Sequence, residues 1–183
     1  AKLLVLQSGE TVGTIGGGCL EAEIYECCRS VLSTGQSSRF QYTMTEKQAG
    51  EDGLNCGGSV EIFIEKASKG TVNVFSAIQS LLKQRSSFCS VVGLKGGKRI
   101  LIDENGYILH NEGPSIESSL AIEIAKESLT KRKGFIYKTD ALYCNEDVFV
   151  EPYLPQPKLF IFGGGHVGAE VAKLANNVGF RVA

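Results

Sequence analysis

The chain contains no tryptophan, no charge excess of either sign, no apolar run of membrane-spanning length and no Cys-x-x-Cys pair. Each absence excludes something. Nineteen Lys and Arg against 20 Asp and Glu leave a net charge of −1. A balance of that kind argues against binding to nucleic acid or to a membrane surface driven by charge. No stretch approaches the roughly 18 apolar residues that a spanning helix needs. The opening segment from Ala1 to Leu6 is too short for a signal peptide and lacks a cleavage site. The six cysteines (Cys19, Cys27, Cys28, Cys56, Cys89 and Cys144) have no zinc-site spacing. A chain of 183 residues and ordinary composition also has no need of disulfide staples. With 21% charged and 43% hydrophobic residues it is not of the disordered class. The expectation is a cytoplasmic protein with reduced thiols and neither a nucleic-acid nor a membrane partner. The chain opens without Met inside a predicted strand and stops inside another, so flanking residues are expected to be missing.

Glycine is what the chain has in quantity, 22 residues of it. Leu3 to Leu6 and Thr11 to Ile15, joined by Ser8-Gly9-Glu10, predict a hairpin. Gly16-Gly17-Gly18 follows at once. Leu20, Ile24, Cys27, Cys28, Val31 and Leu32 then form the apolar stripe of an amphipathic helix that Gly35 should stop. Arg39 to Met44 and Val60 to Glu65 read as strands around a polar, glycine-rich loop. Val72 to Leu82 predicts a helix, and Phe88 to Leu94 and Arg99 to Asp103 predict strands. Asn105-Gly106 carries a hairpin signal before Tyr107 to His110. Pro114 to Leu129 predicts a helix with Pro114 in its first turn, and Phe135 to Lys138 and Val148 to Glu151 predict two more strands.

Three of the four prolines fall in Pro152-Tyr153-Leu154-Pro155-Gln156-Pro157, which reads as a stiff linker. The fold class is therefore α/β: a mixed α/β domain over residues 1–151, a linker over 152–157, and over 158–183 the truncated start of a Rossmann-like domain. In that last part a short strand, Lys158 to Phe162, runs into Gly163-Gly164-Gly165-His166-Val167-Gly168 and a helix. Gly163, Gly165 and Gly168 match G-x-G-x-x-G in the context that gives the pattern weight. The first glycine permits the turn, the second lets a pyrophosphate approach, and the third lets the helix pack on the strand. His166 sits where an imidazole could face an anion. The acidic residue that would hold a ribose falls beyond Ala183. One reading is thus an NAD(P)-dependent oxidoreductase.

The run Gly13-Thr14-Ile15-Gly16-Gly17-Gly18-Cys19-Leu20-Glu21 also joins a strand to a helix. Gly16, Gly17 and Gly18 offer backbone N–H groups to an anion. Cys19 stands at the helix start, where the dipole favours the thiolate; it could attack, ligate a soft metal or carry a persulfide. Glu21, nearest the glycine run, is a further candidate cofactor contact. Cys56-Gly57-Gly58 is a second cysteine–glycine loop abutting a strand, and could meet the first in one pocket. Cys27, Cys28, Cys89 and Cys144 read as packing residues. A purely structural role for the glycine triplet is disfavoured, because such a run costs stability unless something uses it.

Together, the segment Gly13 to Glu21, Cys56-Gly57-Gly58, Glu151-Pro152 and the turn Phe162 to Gly168 resemble the xanthine dehydrogenase accessory factor family, XdhC/CoxI, in order and across nearly the whole chain. The resemblance implies a molybdenum-cofactor chaperone without turnover of its own. Such a protein binds molybdopterin and its metal, supports exchange of a terminal oxo for a sulfido ligand with sulfur from a cysteine desulfurase, and hands the cofactor to a xanthine dehydrogenase-type apoenzyme. It implies Cys19 as the leading cofactor and metal contact, Gly16, Gly17 and Gly18 as donors, and Cys56 as a second contact. A homodimer is the general expectation.

Overall fold

A computed structural model of the chain describes residues 1–44, 58–114, 116–139 and 146–183, with the side chains of Cys19 and Met44 left undescribed. The first unit is a helix and two antiparallel ribbons. Strands β1 (Lys2–Val5) and β2 (Thr11–Thr14) pair with Leu3 opposite Gly13. The turn between them is closed by Gly9, at φ 95°, whose N–H donates to the Leu6 carbonyl at 2.9 Å. Helix α1 (Gly18–Thr34) follows, and Gly35 ends it in the left-handed conformation with its N–H on the Val31 carbonyl at 2.8 Å. Strands β3 (Ser38–Met44) and β4 (Gly58–Ile64) form the second ribbon. The apolar stripe of α1 packs on it: Leu20, Ile24 and Val31 are buried with Ile64, and Ile15, Cys27, Cys28, Phe40 and Tyr42 close around them.

The second unit is an antiparallel five-stranded sheet between two helices. Helix α2 (Lys69–Lys83) is capped by Ser68, whose hydroxyl accepts the Thr71 N–H at 3.2 Å. Strands β5 (Phe88–Gly93), β6 (Arg99–Asp103), β7 (Ile108–Asn111), β8 (Phe135–Tyr137) and β9 (Val148–Tyr153) lie in the order β7-β6-β5-β9-β8. All six residues of the central strand β5 are buried. Alternation assigns its faces. Cys89 and Val91, with Ile100, Ile102, Val148 and Val150, meet Ala121, Ile124 and Ala125 of helix α3 (Ser118–Lys131). Phe88 and Leu101 face the other way, onto Val74 and Ile78 of α2.

Two sequence expectations change here. Helix α3 begins at Ser118, not at Pro114: Ile116 is buried in the core and Glu117, the N-cap, is extended. Strand β9 runs through Pro152 to Tyr153, so the first two residues of the expected linker belong to the sheet. The pairing of β8 with β9 reaches only Phe135 opposite Val150, so among the described residues β9 beyond that point pairs with β5 alone, and a proline is tolerated on such an edge.

Side-chain ion pairs join the two units. Arg39 on β3 reaches Glu61 and, at 2.8 Å, Asp147 just before β9. Arg99 on β6 pairs with Glu65 at the end of β4, donates to the Gly97 carbonyl at 2.6 Å and lies over the Phe75 ring. Lys2 on β1 donates to Glu151 on β9 at 2.6 Å, and the Tyr153 hydroxyl donates to the other oxygen of the same carboxylate at 2.8 Å. The chain closes with a βαβ piece. Strands β10 (Lys158–Leu159) and β11 (Arg181–Val182) are parallel and connected by helix α4 (His166–Asn177).

Candidate functional site

The first glycine turn links β2 to α1. Gly16, Gly17 and Gly18 take φ values of 134°, 78° and 65°, which residues bearing a Cβ rarely adopt. Gly17 is the N-cap of α1, and nothing lies within 4 Å of where a Cβ would stand on Gly16 or Gly17, so the outer side of the turn is open. Its inner side is filled by the chain's own carboxylate. One oxygen of Glu21 accepts the Thr14 hydroxyl at 2.6 Å and the N–H groups of Ile15 and Gly17 at 3.0 Å each. The Thr14 hydroxyl oxygen in turn accepts the Gly16 N–H at 3.2 Å. The Thr14 hydrogen bond, then those from Ile15 and Gly17, hold the Glu21 carboxyl below its ordinary range.

That geometry corrects one expectation about the glycines. The N–H groups of Gly16 and Gly17 are not open donors, because Thr14 and Glu21 already hold them. The donors left at this end are those of the first helical turn, beginning with Gly18, which have no intrahelical acceptor. Cys19 is the second residue of α1 by its backbone; its side chain lies outside what is described. Cys56 and Gly57 also lie outside the described residues, while Gly58 opens β4 opposite Met44.

The second glycine turn joins β10 to α4. Gly163 takes φ 121° and Gly165 is the N-cap of α4. A Cβ on Gly168 would strike the Gly163 carbonyl oxygen, which is the close helix–strand approach expected of the third glycine. His166 is the first residue of α4 and is exposed. Among the remaining cysteines, Cys27 and Cys28 are half-buried against the α1 core. Cys89 is fully buried, and burial pushes its thiol up to about 12. Cys144 lies outside the described residues. Among the described residues no three His, Cys, Asp or Glu side chains converge as a metal site, and no helix is long and apolar enough to cross a membrane.

Sequence reasoning did not find the lock between Thr14 and Glu21. Its signal was present: an acidic residue in the first turn of a helix that follows a glycine run can reach back to N–H groups before the cap, a variant of the capping box. A cleft of about 360 Å³ lies at the other end of α1, lined by Gly35, Ser37, Lys66 and Lys95 among others. The Lys66 ammonium there caps the helix through the Leu32 carbonyl at 2.9 Å.

The model of the XdhC and CoxI family matches residues 1–43, which carry the first glycine turn and all of α1. Over 184 aligned residues the chain is 20% identical to a probable xanthine dehydrogenase subunit of Bacillus subtilis, covering 100% of this chain and 52% of that protein. It is 36% identical over 64 residues to the uncharacterized protein YqeB of Escherichia coli, 35% of this chain and 12% of that one. Its fold matches the crystal structure of a xanthine dehydrogenase from Bacillus halodurans, with a TM-score of 0.67 at 20% identity over 100% of this chain and 51% of that one. These matches bear out the XdhC/CoxI resemblance and the α/β fold class. The chain spans about half the length of the Bacillus proteins.

Proposed function

We propose that this chain is part of a xanthine dehydrogenase accessory factor that holds the molybdenum cofactor as cargo and supports its sulfuration and insertion. The observation that carries the reading is the strand–glycine turn–helix with Cys19 in its first helical turn, inside the segment that the family model matches. The turn fits such a cargo in its donor chemistry. Its outer side is open over Gly16 and Gly17, and the unshared N–H groups and positive dipole end of α1 suit a phosphate. A thiol placed there suits a soft metal or sulfur transfer. The cofactor brings the molybdenum whose terminal ligand is exchanged. The chain's residues contribute binding and orientation: Gly18 through its backbone, Cys19 as the metal and sulfur contact, Gly16 and Gly17 by leaving the face open, and Cys56, Gly57 and Gly58 from the second loop. The client is a xanthine dehydrogenase-type apoenzyme and the sulfur source a cysteine desulfurase, with the factor acting in the cytoplasm as a homodimer.

The test is pterin and molybdenum analysis of the chain purified anaerobically from a molybdate-fed host, as wild type and as Cys19→Ala. Wild type is expected to carry both and the variant to lose them. Equal occupancy in the two removes Cys19 from the mechanism.

A second reading, nucleotide binding by the βαβ piece, is favoured by Gly165 capping α4 and by Gly168 packing against Gly163. Gly163, Gly165, His166 and Gly168 would face the pyrophosphate of NAD(P). Fluorescence titration with NADH and NADPH tests it; saturable binding of neither rules out an NAD(P)-dependent oxidoreductase.

A further inference from the structure

Three glycines in succession at positive φ cannot hold their own shape. Each has more backbone freedom than any other residue, and none carries a side chain that could pack. Something else must fix a turn that has one defined conformation, and a single atom does so here. Oε1 of Glu21 gathers the Thr14 hydroxyl and the N–H groups of Ile15 and Gly17, while Thr14 passes the same anchorage on to the Gly16 N–H. Three donors converge on that oxygen, which is the environment of an anion.

The ordinary explanation for an acidic residue in a helix's first turn is attraction to the dipole, or capping of the helix's own first N–H groups. Glu21 accepts the N–H of the cap residue Gly17 and also reaches further back. Its partners Ile15 and Thr14 lie before the cap residue Gly17, in the exit of β2, so the carboxylate ties the helix back to the strand that precedes it.

We infer that Glu21 is a positioning residue: its carboxylate is the resident anion of the glycine turn and fixes how α1 presents Cys19. Its importance to cofactor binding rests on the function proposed above; its role in the turn does not. It follows that cargo reaches the outer face of a turn already formed, and that the N–H groups of Ile15 and Gly17 stay with Glu21.

The test uses the full chain labelled with ¹⁵N. The hydrogen exchange of the Ile15 and Gly17 amides is followed at neutral pH. In the wild type both are expected to be protected to a similar extent, and Glu21→Gln is expected to keep most of that protection. Glu21→Ala is expected to speed hydrogen exchange of both amides about tenfold or more, with the amides of α3 unchanged. Unprotected Ile15 and Gly17 amides in the wild type, which needs no variant to fold, overturn the inference. So does unchanged exchange in Glu21→Ala. The same preparations are assayed for pterin. Glu21→Gln, which keeps the reach and an acceptor oxygen, is expected to retain pterin where Glu21→Ala loses it; equal pterin in Glu21→Ala and wild type removes the positioning role. A wild type without pterin sinks the proposed function alone, since the amide measurements still decide on Glu21.

Discussion

The joint between Arg99 and Glu65 is where the ribbon behind the glycine turn meets the five-stranded sheet, and its strength can be worked out. Their side chains are 8% and 20% exposed. Exposed ion pairs contribute about 0.2–1 kcal/mol, whereas removing one partner of a fully buried pair costs about 3–5 kcal/mol. Arg99 is on the buried side of that range, but Glu65 still touches water. Without Glu65 the guanidinium also keeps the Gly97 carbonyl and the Phe75 ring. Both facts place Glu65→Ala near the middle, at about 2 kcal/mol. For a chain of this size that lowers the melting temperature by about 4–8 °C. Arg99→Met loses more, because it gives up the carbonyl and ring contacts as well. A double-mutant cycle with urea unfolding isolates the pair, and a coupling of about 2 kcal/mol is expected. A coupling below about 0.5 kcal/mol would show that the two side chains merely lie side by side, and the reasoning from burial would be wrong.

Further outcomes follow from other residues. Gly168→Ala places a Cβ against the Gly163 carbonyl and should cost about 1–3 kcal/mol of local stability, seen as loss of amide protection across α4. Gly164→Ala has open space at the same turn and should leave that protection intact. The Asp147 carboxyl is held below its ordinary value by its hydrogen bond from Arg39. Its contribution to stability is therefore full above the unfolded carboxyl value and disappears as pH falls through the lower folded one. Urea midpoints measured between about pH 5 and pH 2 should fall less steeply in Asp147→Asn than in wild type, and parallel curves would refute this.

Local patterns made much of the fold legible. The stripe from Leu20 to Val31 declared α1, the run from Arg39 to Met44 declared β3, and Asn105-Gly106 declared the β6–β7 turn, where Asp103 accepts the Asn105 and Tyr107 N–H groups at 2.9 and 2.8 Å. In each case the signal and the structure it specifies lie within one element or one turn. Expectations failed where a distant contact decided the outcome. Pro114 looked like a first-turn proline until Ile116 found a place in the sheet core, and Pro152 looked like a linker until it proved to stand opposite Cys89 in the sheet. The ion pairs of Arg39, Arg99 and Lys2 join residues far apart in sequence, and no spacing rule announces them. The candidate site lies between these cases. Its glycines and Cys19 were conspicuous, but the use of Glu21 depended on φ values at Gly16 and Gly17 that only the folded turn defines.

The contact of Lys2 with Glu151 and Tyr153 brings the first strand of the chain beside the last strand of the sheet. In a version ending just after β9, a few residues could bridge that gap. The polypeptide could then be cut open at Asn105-Gly106, an exposed tip, without altering any strand neighbour. The same body would be threaded in a different order. Its architecture depends on which surfaces touch, not on the order in which the chain visits them.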